Sequence, residues 1–291
     1  QENLLFVGTE FGAYFSIDGG LNWTKLSGLP TVAVYDLDIQ EREVDLVAAT
    51  FGRGFYVLDN YSPLRTLSKE NLQKAAHLFP VKDALLYIEA DPLGLEGTGF
   101  QGHNLWSAKN PSFGATFTLH VKEVPKDLKS TRQQKEKDLE KEGKDVSYPS
   151  FDALKAEELD EDAKFIWIIS DAKGTEIRRM SSAAQAGMVR QNWDLRKTGT
   201  NPVGRGGRGP LVVPGTYFLR VLQVHNGQID TLVAATAFNV KGLNNQTLIA
   251  KDNQALDAFR AQVAELNRKV SGQEKRFEEA NQELELIEKA I

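Results

Sequence analysis

The sequence predicts a mainly β protein with helical additions, and three observations carry that prediction. The first 60 residues contain an internal repeat, and several later segments alternate apolar and polar residues with the period of two that half-buried strands show. The last 40 residues instead place apolar residues three and four apart, which is typical of amphipathic helices. We therefore expect repeated β-modules, a second β-region and a helical tail, in that order.

The repeat is seen when residues 5–9, Leu-Phe-Val-Gly-Thr, are aligned with residues 46–50, Leu-Val-Ala-Ala-Thr. In each copy a glycine-containing turn separates two short strands rich in β-branched and aromatic residues, which predicts a hairpin. The period of about 41 residues is typical of a propeller blade, so residues 1–67 are expected to be the last blades of a β-propeller. Because a ring needs at least about four blades, the others are expected upstream of Gln1.

A motif in the first copy resembles the Asp box of bacterial neuraminidase repeats and sortilin-like propellers. Residues 16–23 read Ser-Ile-Asp-Gly-Gly-Leu-Asn-Trp and fit the pattern Ser-x-Asp-x-Gly-x-x-Trp. We expect the acidic side chain to cap backbone N–H groups, the glycine to permit a positive φ and the tryptophan to pack between strands. The residues expected in these structural roles are Ser16, Asp18, Gly20 and Trp23. Asn22 stands where threonine is usual, and the second copy lacks the box.

The stretch from Leu4 to Arg65 also resembles the terminal blades of the large sortilin-like, or "glycosyl hydrolase", proteins of the Bacteroidetes type. The resemblance implies a secreted or cell-surface binding and scaffolding protein, exported to the periplasm, the outer-membrane surface or the medium. Its partner would be a protein or carbohydrate ligand held at the propeller face. An alternative stays open: a sialidase-like glycoside hydrolase whose catalytic residues lie in upstream blades.

A change of pattern near Leu67 predicts the end of the blades. We expect a linker with a short helix at residues 68–83 and a β-sandwich at residues 84–242, interrupted by a charged helical insertion at residues 126–164. Within the sandwich, strands are expected at residues 116–121, 165–170, 187–195, 215–224 and 234–240, with a hairpin turn at residues 171–174. Alternation predicts that Tyr217, Leu219 and Val221 face inward. Residues 169–178, with Asn192-Trp193-Asp194 and residues 213–217, resemble the immunoglobulin-like domain of flagellar hook-capping proteins. Such domains generally position their neighbours, so the resemblance implies scaffolding rather than chemistry.

The tail, residues 243–291, carries the clearest helical signal. Two apolar stripes flank Gly272, and we predict that two helices turn at Ser271-Gly272 and pack as an antiparallel hairpin. The first stripe contains Leu256, Phe259, Val263, Leu266 and Val270, and the second contains Phe277, Ala280, Leu284, Ile287 and Ile291. Packing of these stripes within the chain is favoured over a partner-binding coiled coil.

Composition narrows the classes of function. A formal net charge of -5 disfavours a nucleic-acid partner, which needs a concentrated positive surface. The absence of cysteine excludes disulfides and thiolate chemistry, and no apolar run reaches the roughly 18 residues of a membrane span. The four histidines lack metal-ligand spacing, so no metal site is predicted. No catalytic or cofactor-binding residue is predicted either.

Two turns supply the candidate surface residues. Glu10 and Phe11 occupy the hairpin turn of the first copy, and Phe51 and Arg53 occupy that of the second. Because equivalent turns of successive blades share one edge of a propeller, these four residues are expected to line any functional surface. Arg53 has glycine on both sides, which favours a surface role over membership of a sialidase arginine cluster. The sequence therefore favours binding over catalysis for this chain.

Overall fold

The computed structural model describes residues 3–89, 108–199, 208–243 and 251–290, which form a mainly β protein with a long C-terminal helix. Within these ranges, none of the helices combines the length and apolarity needed to cross a bilayer. The mainly β class with added helices, predicted from the sequence, is confirmed.

Six short strands form two three-stranded antiparallel sheets, which we call the first and second N-terminal sheets. The first sheet contains β1 (Leu5–Thr9), β2 (Gly12–Ser16) and β3 (Thr24–Lys25), and the second contains β4 (Val34–Gln40), β5 (Asp45–Thr50) and β6 (Phe55–Leu58). In the repeat, β1 and β2 of the first copy correspond to β5 and β6 of the second copy. β5 is paired on both sides, whereas its equivalent β1 is an edge strand.

The two N-terminal sheets pack against each other over a small core. Ala13 of the first sheet and Leu46 and Ala48 of the second are buried in one cluster. The backbones also meet closely, since a Cβ atom at Gly8 would lie 2.6 Å from the carbonyl oxygen of Val34. Glycine is therefore needed at position 8 to let β1 pass beside β4.

A short connecting segment leads to a second β-region, in which two sheets enclose one core. The connecting segment contains α1 (Ser62–Thr66) and α2 (Lys69–Gln73), and it leads into β7 (Ala76–Leu78), the first strand of the second β-region. One sheet has the strand order β11-β10-β13-β14-β8, and the other has the order β12-β9-β7. The strands are β8 (Ala84–Leu86), β9 (Ala115–Val121), β10 (Lys164–Ser170), β11 (Glu176–Ala183), β12 (Gly187–Trp193), β13 (Gly215–His225) and β14 (Gln228–Gly242).

Large aromatic side chains fill the space between these two sheets. Trp167 of one sheet and Trp193 of the other are completely buried. The ring of Phe117 stacks on Trp167 with centroids 6.4 Å apart, and Phe238 meets Trp193 edge to face at 6.0 Å. This pair of sheets, β7 to β14, therefore closes its own core, and we call it the sandwich.

Two helices separate β9 from β10: α3 (Leu128–Lys141) and α4 (Phe151–Leu159). Arg132 joins them, because its guanidinium bonds both Glu136 of α3, at 2.6 Å, and Glu157 of α4, at 2.6 Å. No side chain of either helix is buried, so the pair is held mainly by polar contacts.

The predicted C-terminal hairpin is wrong, because α5 (Asn253–Ala290) runs as one continuous helix through Ser271 and Gly272. Gly272 lacks the positive φ of a helix-ending glycine. A single glycine costs a helix only about 1 kcal/mol relative to alanine, and the residues after it are mostly strong helix formers. The N-terminal end of α5 is tied to the sandwich by Lys197, whose Nζ lies 2.6 Å from Asp257 Oδ1.

Candidate functional site

The turn that follows β2 is organised by the side chains of Ser16 and Asp18. Ser16 Oγ donates to Asp18 Oδ1 at 2.7 Å and accepts from the backbone N–H of Gly20 at 2.9 Å. Asp18 also accepts from Asn22, from the backbone N–H at 2.9 Å and from the side-chain amide at 2.7 Å. Asn22, the departure from the usual motif, thus donates twice to the carboxylate. Gly20 has a φ of 97°, as such a turn requires.

These hydrogen bonds change the acidity of the turn. The amide side chain of Asn22, followed by its backbone N–H and the Ser16 hydroxyl, lowers the pKa of Asp18 to about 2. The carboxylate form is therefore the one that organises the turn. Trp23, at the end of the motif, remains 43% exposed and lies beside Gly20. The motif thus acts locally, on its own turn.

The hairpin turns that contain Glu10, Phe11, Phe51 and Arg53 lie at the same end of the N-terminal sheets. The first turn is closed by Thr9, whose Oγ1 donates to the carbonyl of Gly12 at 2.9 Å. The second is closed by Thr50, whose Oγ1 donates to the carbonyl of Gly54 at 2.6 Å.

One short segment connects the two turns. The N–H of Phe51 donates to the carbonyl of Ala33 at 2.9 Å, and the neighbouring Val34 contacts Gly8 near the first turn. All four predicted surface residues are exposed, with Phe11 at 61% and Phe51 at 67%. The structure therefore brings them to one end of the two N-terminal sheets, which we call the turn edge.

Tyr35 also lies at the turn edge, although it is not among the surface residues predicted from the sequence. It is 73% exposed, and its ring meets the ring of Phe51 edge to face, with centroids 5.6 Å apart. The pairing of β4 with β5 shifts between Val34 and Asp36, and this irregularity lies at Tyr35. Regular alternation would place Tyr35 on the face opposite Asp36, so its exposure follows from this shift in pairing.

The outer faces of both N-terminal sheets are also apolar. On the first sheet, Leu5, Val7 and Trp23 are exposed. On the second, Phe55 and Val57 are exposed, whereas the alternate residues Tyr56 and Leu58 face the shared core. Both faces of each sheet therefore carry apolar side chains.

A cleft of about 600 Å³ lies between the second N-terminal sheet and the sandwich. Its N-terminal wall holds Glu43, Asp45 and Asp59, and its opposite wall includes Lys82 and Arg190. Lys82 reaches across to form an ion pair with Glu43, and the hydrogen bond from Lys82 lowers the pKa of that carboxyl. The cleft is thus bridged at one side by a charged contact.

Asp59 is the one carboxyl of the cleft with a raised pKa. Desolvation at the cleft wall is the main cause and the nearby Asp45 the next, although the residue as a whole stays exposed. Asp45 is positioned by the backbone N–H of Asn60, which donates to its Oδ1 at 2.8 Å. Asp45 therefore lies close enough to Asp59 for its charge to help raise the pKa of Asp59.

No protein-family model matches the chain, and neither a curated protein nor a solved structure matches it.

Proposed function

We propose that this chain is part of a secreted or cell-surface binding and scaffolding protein, which holds a protein or carbohydrate ligand at the turn edge. The observation that carries the proposal is the exposed aromatic pair formed by Tyr35 and Phe51, together with the exposed Phe11 in the neighbouring turn. Exposed aromatic side chains that are clustered rather than scattered mark interaction sites.

The turn edge is also suited to binding because it is held in place before a ligand arrives. Thr9 and Thr50 lock the two turns, and the N–H of Phe51 is fixed on the carbonyl of Ala33. Aromatic side chains bury a large area with little loss of rotamer freedom, so a preorganised group binds at a low entropic cost. Glu10 and Arg53 add one charge of each sign for orientation.

We further propose that the N-terminal sheets are blades of an Asp-box β-propeller. Three features support this: the repeat, the hydrogen-bonded turn at Asp18, and apolar side chains on both faces of each sheet. In a ring, every blade packs between two neighbours, so the outer residues Leu5, Val7, Phe55 and Val57 would each meet another blade. The sandwich and α5 then serve as the scaffold, and export of the protein follows from the same resemblance.

The binding proposal is tested by screening the chain on a glycan array and by affinity capture from a protein mixture, followed by measurement of the affinity for whatever binds. The variant Phe51→Ala is expected to weaken binding about tenfold or more, since a hot-spot aromatic anchor contributes about 2 kcal/mol or more. Phe151→Ala, at an exposed phenylalanine of α4, is the matched control and should bind normally. Equal loss in both variants, or no stable ligand in either screen, would remove the turn edge as the site.

Glycoside hydrolysis is a second candidate function, favoured by the raised pKa of Asp59 beside Asp45 in the cleft. In that function Asp59 donates a proton to the leaving sugar oxygen, and Asp45 is the partner carboxylate. Turnover of fluorogenic glycosides by the chain would support it, provided that Asp59→Asn abolishes the turnover and Asp36→Asn preserves it. An absence of turnover, or turnover that survives in Asp59→Asn, would exclude this pair of carboxyls.

A further inference from the structure

The stripe of apolar residues along α5 has no covering element among the described residues. Between Phe259 and Ile287 its large members are 47 to 68% exposed. The beginning of the helix meets the sandwich, where Leu256 and Arg260 line a small pocket with Val213. We infer that α5 pairs with α5 of a second copy of this chain, as a parallel two-stranded coiled coil.

The spacing of the stripe is that of a coiled coil. From Leu256 onward the positions alternate three and four residues apart without a break through Ile287, a period of 3.5 that keeps one seam facing a partner. Heptad positions a are Leu256, Val263, Val270, Phe277 and Leu284, and positions d are Phe259, Leu266, Gln273, Ala280 and Ile287. β-branched residues at a with leucine at d favour two strands, as at Val263, Leu266 and Val270. The part beyond the sandwich, residues 263–290, offers about 40 Å of helix.

A second identical helix fits this stripe better than an unrelated one because the polar positions are complementary to themselves. In a parallel pair, Gln273 lies opposite Gln273 of the second copy, where two amides can satisfy each other within the apolar seam. Lys269, at position g, faces Glu274 of the other copy at position e, and the symmetry makes this contact twice. Glu283 and Glu288 repel in the last heptad, so the pair is weakest at that end.

The antiparallel arrangement is less favourable. Centred on Ser271-Gly272, it places Val270 against Gln273, which leaves the amide without a polar partner in the seam. It also sets Lys269 beside Arg276, which adds a repulsion of like charges. The charges and the buried amide therefore select the parallel orientation.

The mass of the full chain in solution tests the pairing, by sedimentation equilibrium at micromolar concentrations. We expect a dimer, and Leu266→Asp should raise the dissociation constant at least about 100-fold, since it sets two carboxylates opposite each other in an apolar layer. Leu286→Asp is the matched control, because Leu286 is equally exposed but lies off the stripe, and it should stay dimeric. A monomeric native chain, or equal behaviour of the two variants, would overturn the inference.

The parallel orientation of the two α5 helices is tested separately. Lys269→Glu should weaken a parallel dimer several-fold, and the addition of Glu274→Lys should restore it; in an antiparallel pair Lys269→Glu would tighten the dimer instead. Because the native chain has no cysteine, Gln273→Cys introduces a single thiol, which should form a disulfide between two chains on mild oxidation. This readout does not require a disrupted core, and its failure in a folded dimer would exclude the parallel register.

Discussion

The two β-regions of this chain use apolar residues in different ways. Among the described residues of the sandwich, eighteen buried apolar side chains form one core between two sheets, with Trp167 and Trp193 fully enclosed. The N-terminal sheets bury only six in their shared core, and their outer strands expose Phe55 and Val57. Strands with apolar side chains on both faces are suited to a sheet covered on both sides. The sandwich therefore closes its own core, whereas each N-terminal sheet leaves apolar side chains exposed on its outer face.

The largest expected loss of stability comes from a comparison of one tryptophan in each β-region. Trp193→Ala should destabilise the sandwich by about 3–5 kcal/mol, since it empties a fully buried site and removes the bond from its Nε1 to the carbonyl of Arg196. Trp23→Ala should cost less than about 1 kcal/mol, because Trp23 is already half exposed. Hydrogen exchange of the amides of β12 and β2 measures the two effects separately. Similar losses in both regions would show that the N-terminal sheets are packed as tightly as the sandwich.

A smaller effect is expected at the organised turn of the first sheet. Ser16→Ala should destabilise that sheet by about 1–2 kcal/mol, because Ser16 is buried and its hydroxyl bonds both Asp18 and the N–H of Gly20. Ser27→Ala, at an exposed serine after β3, is the control and should have little effect. Exchange rates in β1 and β2 should rise in the first variant alone, while those of the sandwich stay unchanged.

The same turn should make the first sheet sensitive to acid. Because the folded-state pKa of Asp18 lies near 2, below the ordinary value of 3.8, its carboxylate stabilises the sheet above about pH 4. That stabilisation is lost as the pH falls toward 2. Asp18→Asn should therefore flatten the pH dependence of exchange in β2 over this range, and Glu41→Gln, at an exposed carboxyl of the same region, should not. A profile that Asp18→Asn leaves unchanged would contradict the hydrogen-bonded turn.

Sequence patterns predicted most strands of the sandwich but not every feature of the structure. Alternation located β9, β10 and β13, since Tyr217, Leu219 and Val221 face the core as the period of two requires. β11 was predicted only indirectly, from the hairpin turn at residues 171–174, because it is an edge strand, rich in arginine and serine, whose outer side needs no apolar partner.

The continuous α5 and the position of Tyr35 were missed for other reasons. Gly272 was interpreted as a stop, although one glycine cannot end a helix of strong formers. For the candidate site, the repeat alone brought Glu10, Phe11, Phe51 and Arg53 to one edge. The exposure of Tyr35 depends on a shift in strand pairing, and the cleft depends on how the N-terminal sheets meet the sandwich. Neither can be predicted from a local sequence pattern.

The smallest effect on stability is expected on the outer face of the second N-terminal sheet. Phe55→Ser combined with Val57→Ser should change the stability of the sheet by less than about 1 kcal/mol, because both side chains are more than half exposed in the folded chain. The same pair should clearly lower the fluorescence of a dye that binds apolar surfaces, since it removes much of an exposed patch. Tyr56→Ser, at the alternate residue that faces the shared core, is the matched control and should destabilise the sheet instead. A large loss of stability from the outer pair would mean that these side chains already pack within this chain, and the contrast with the sandwich would then disappear.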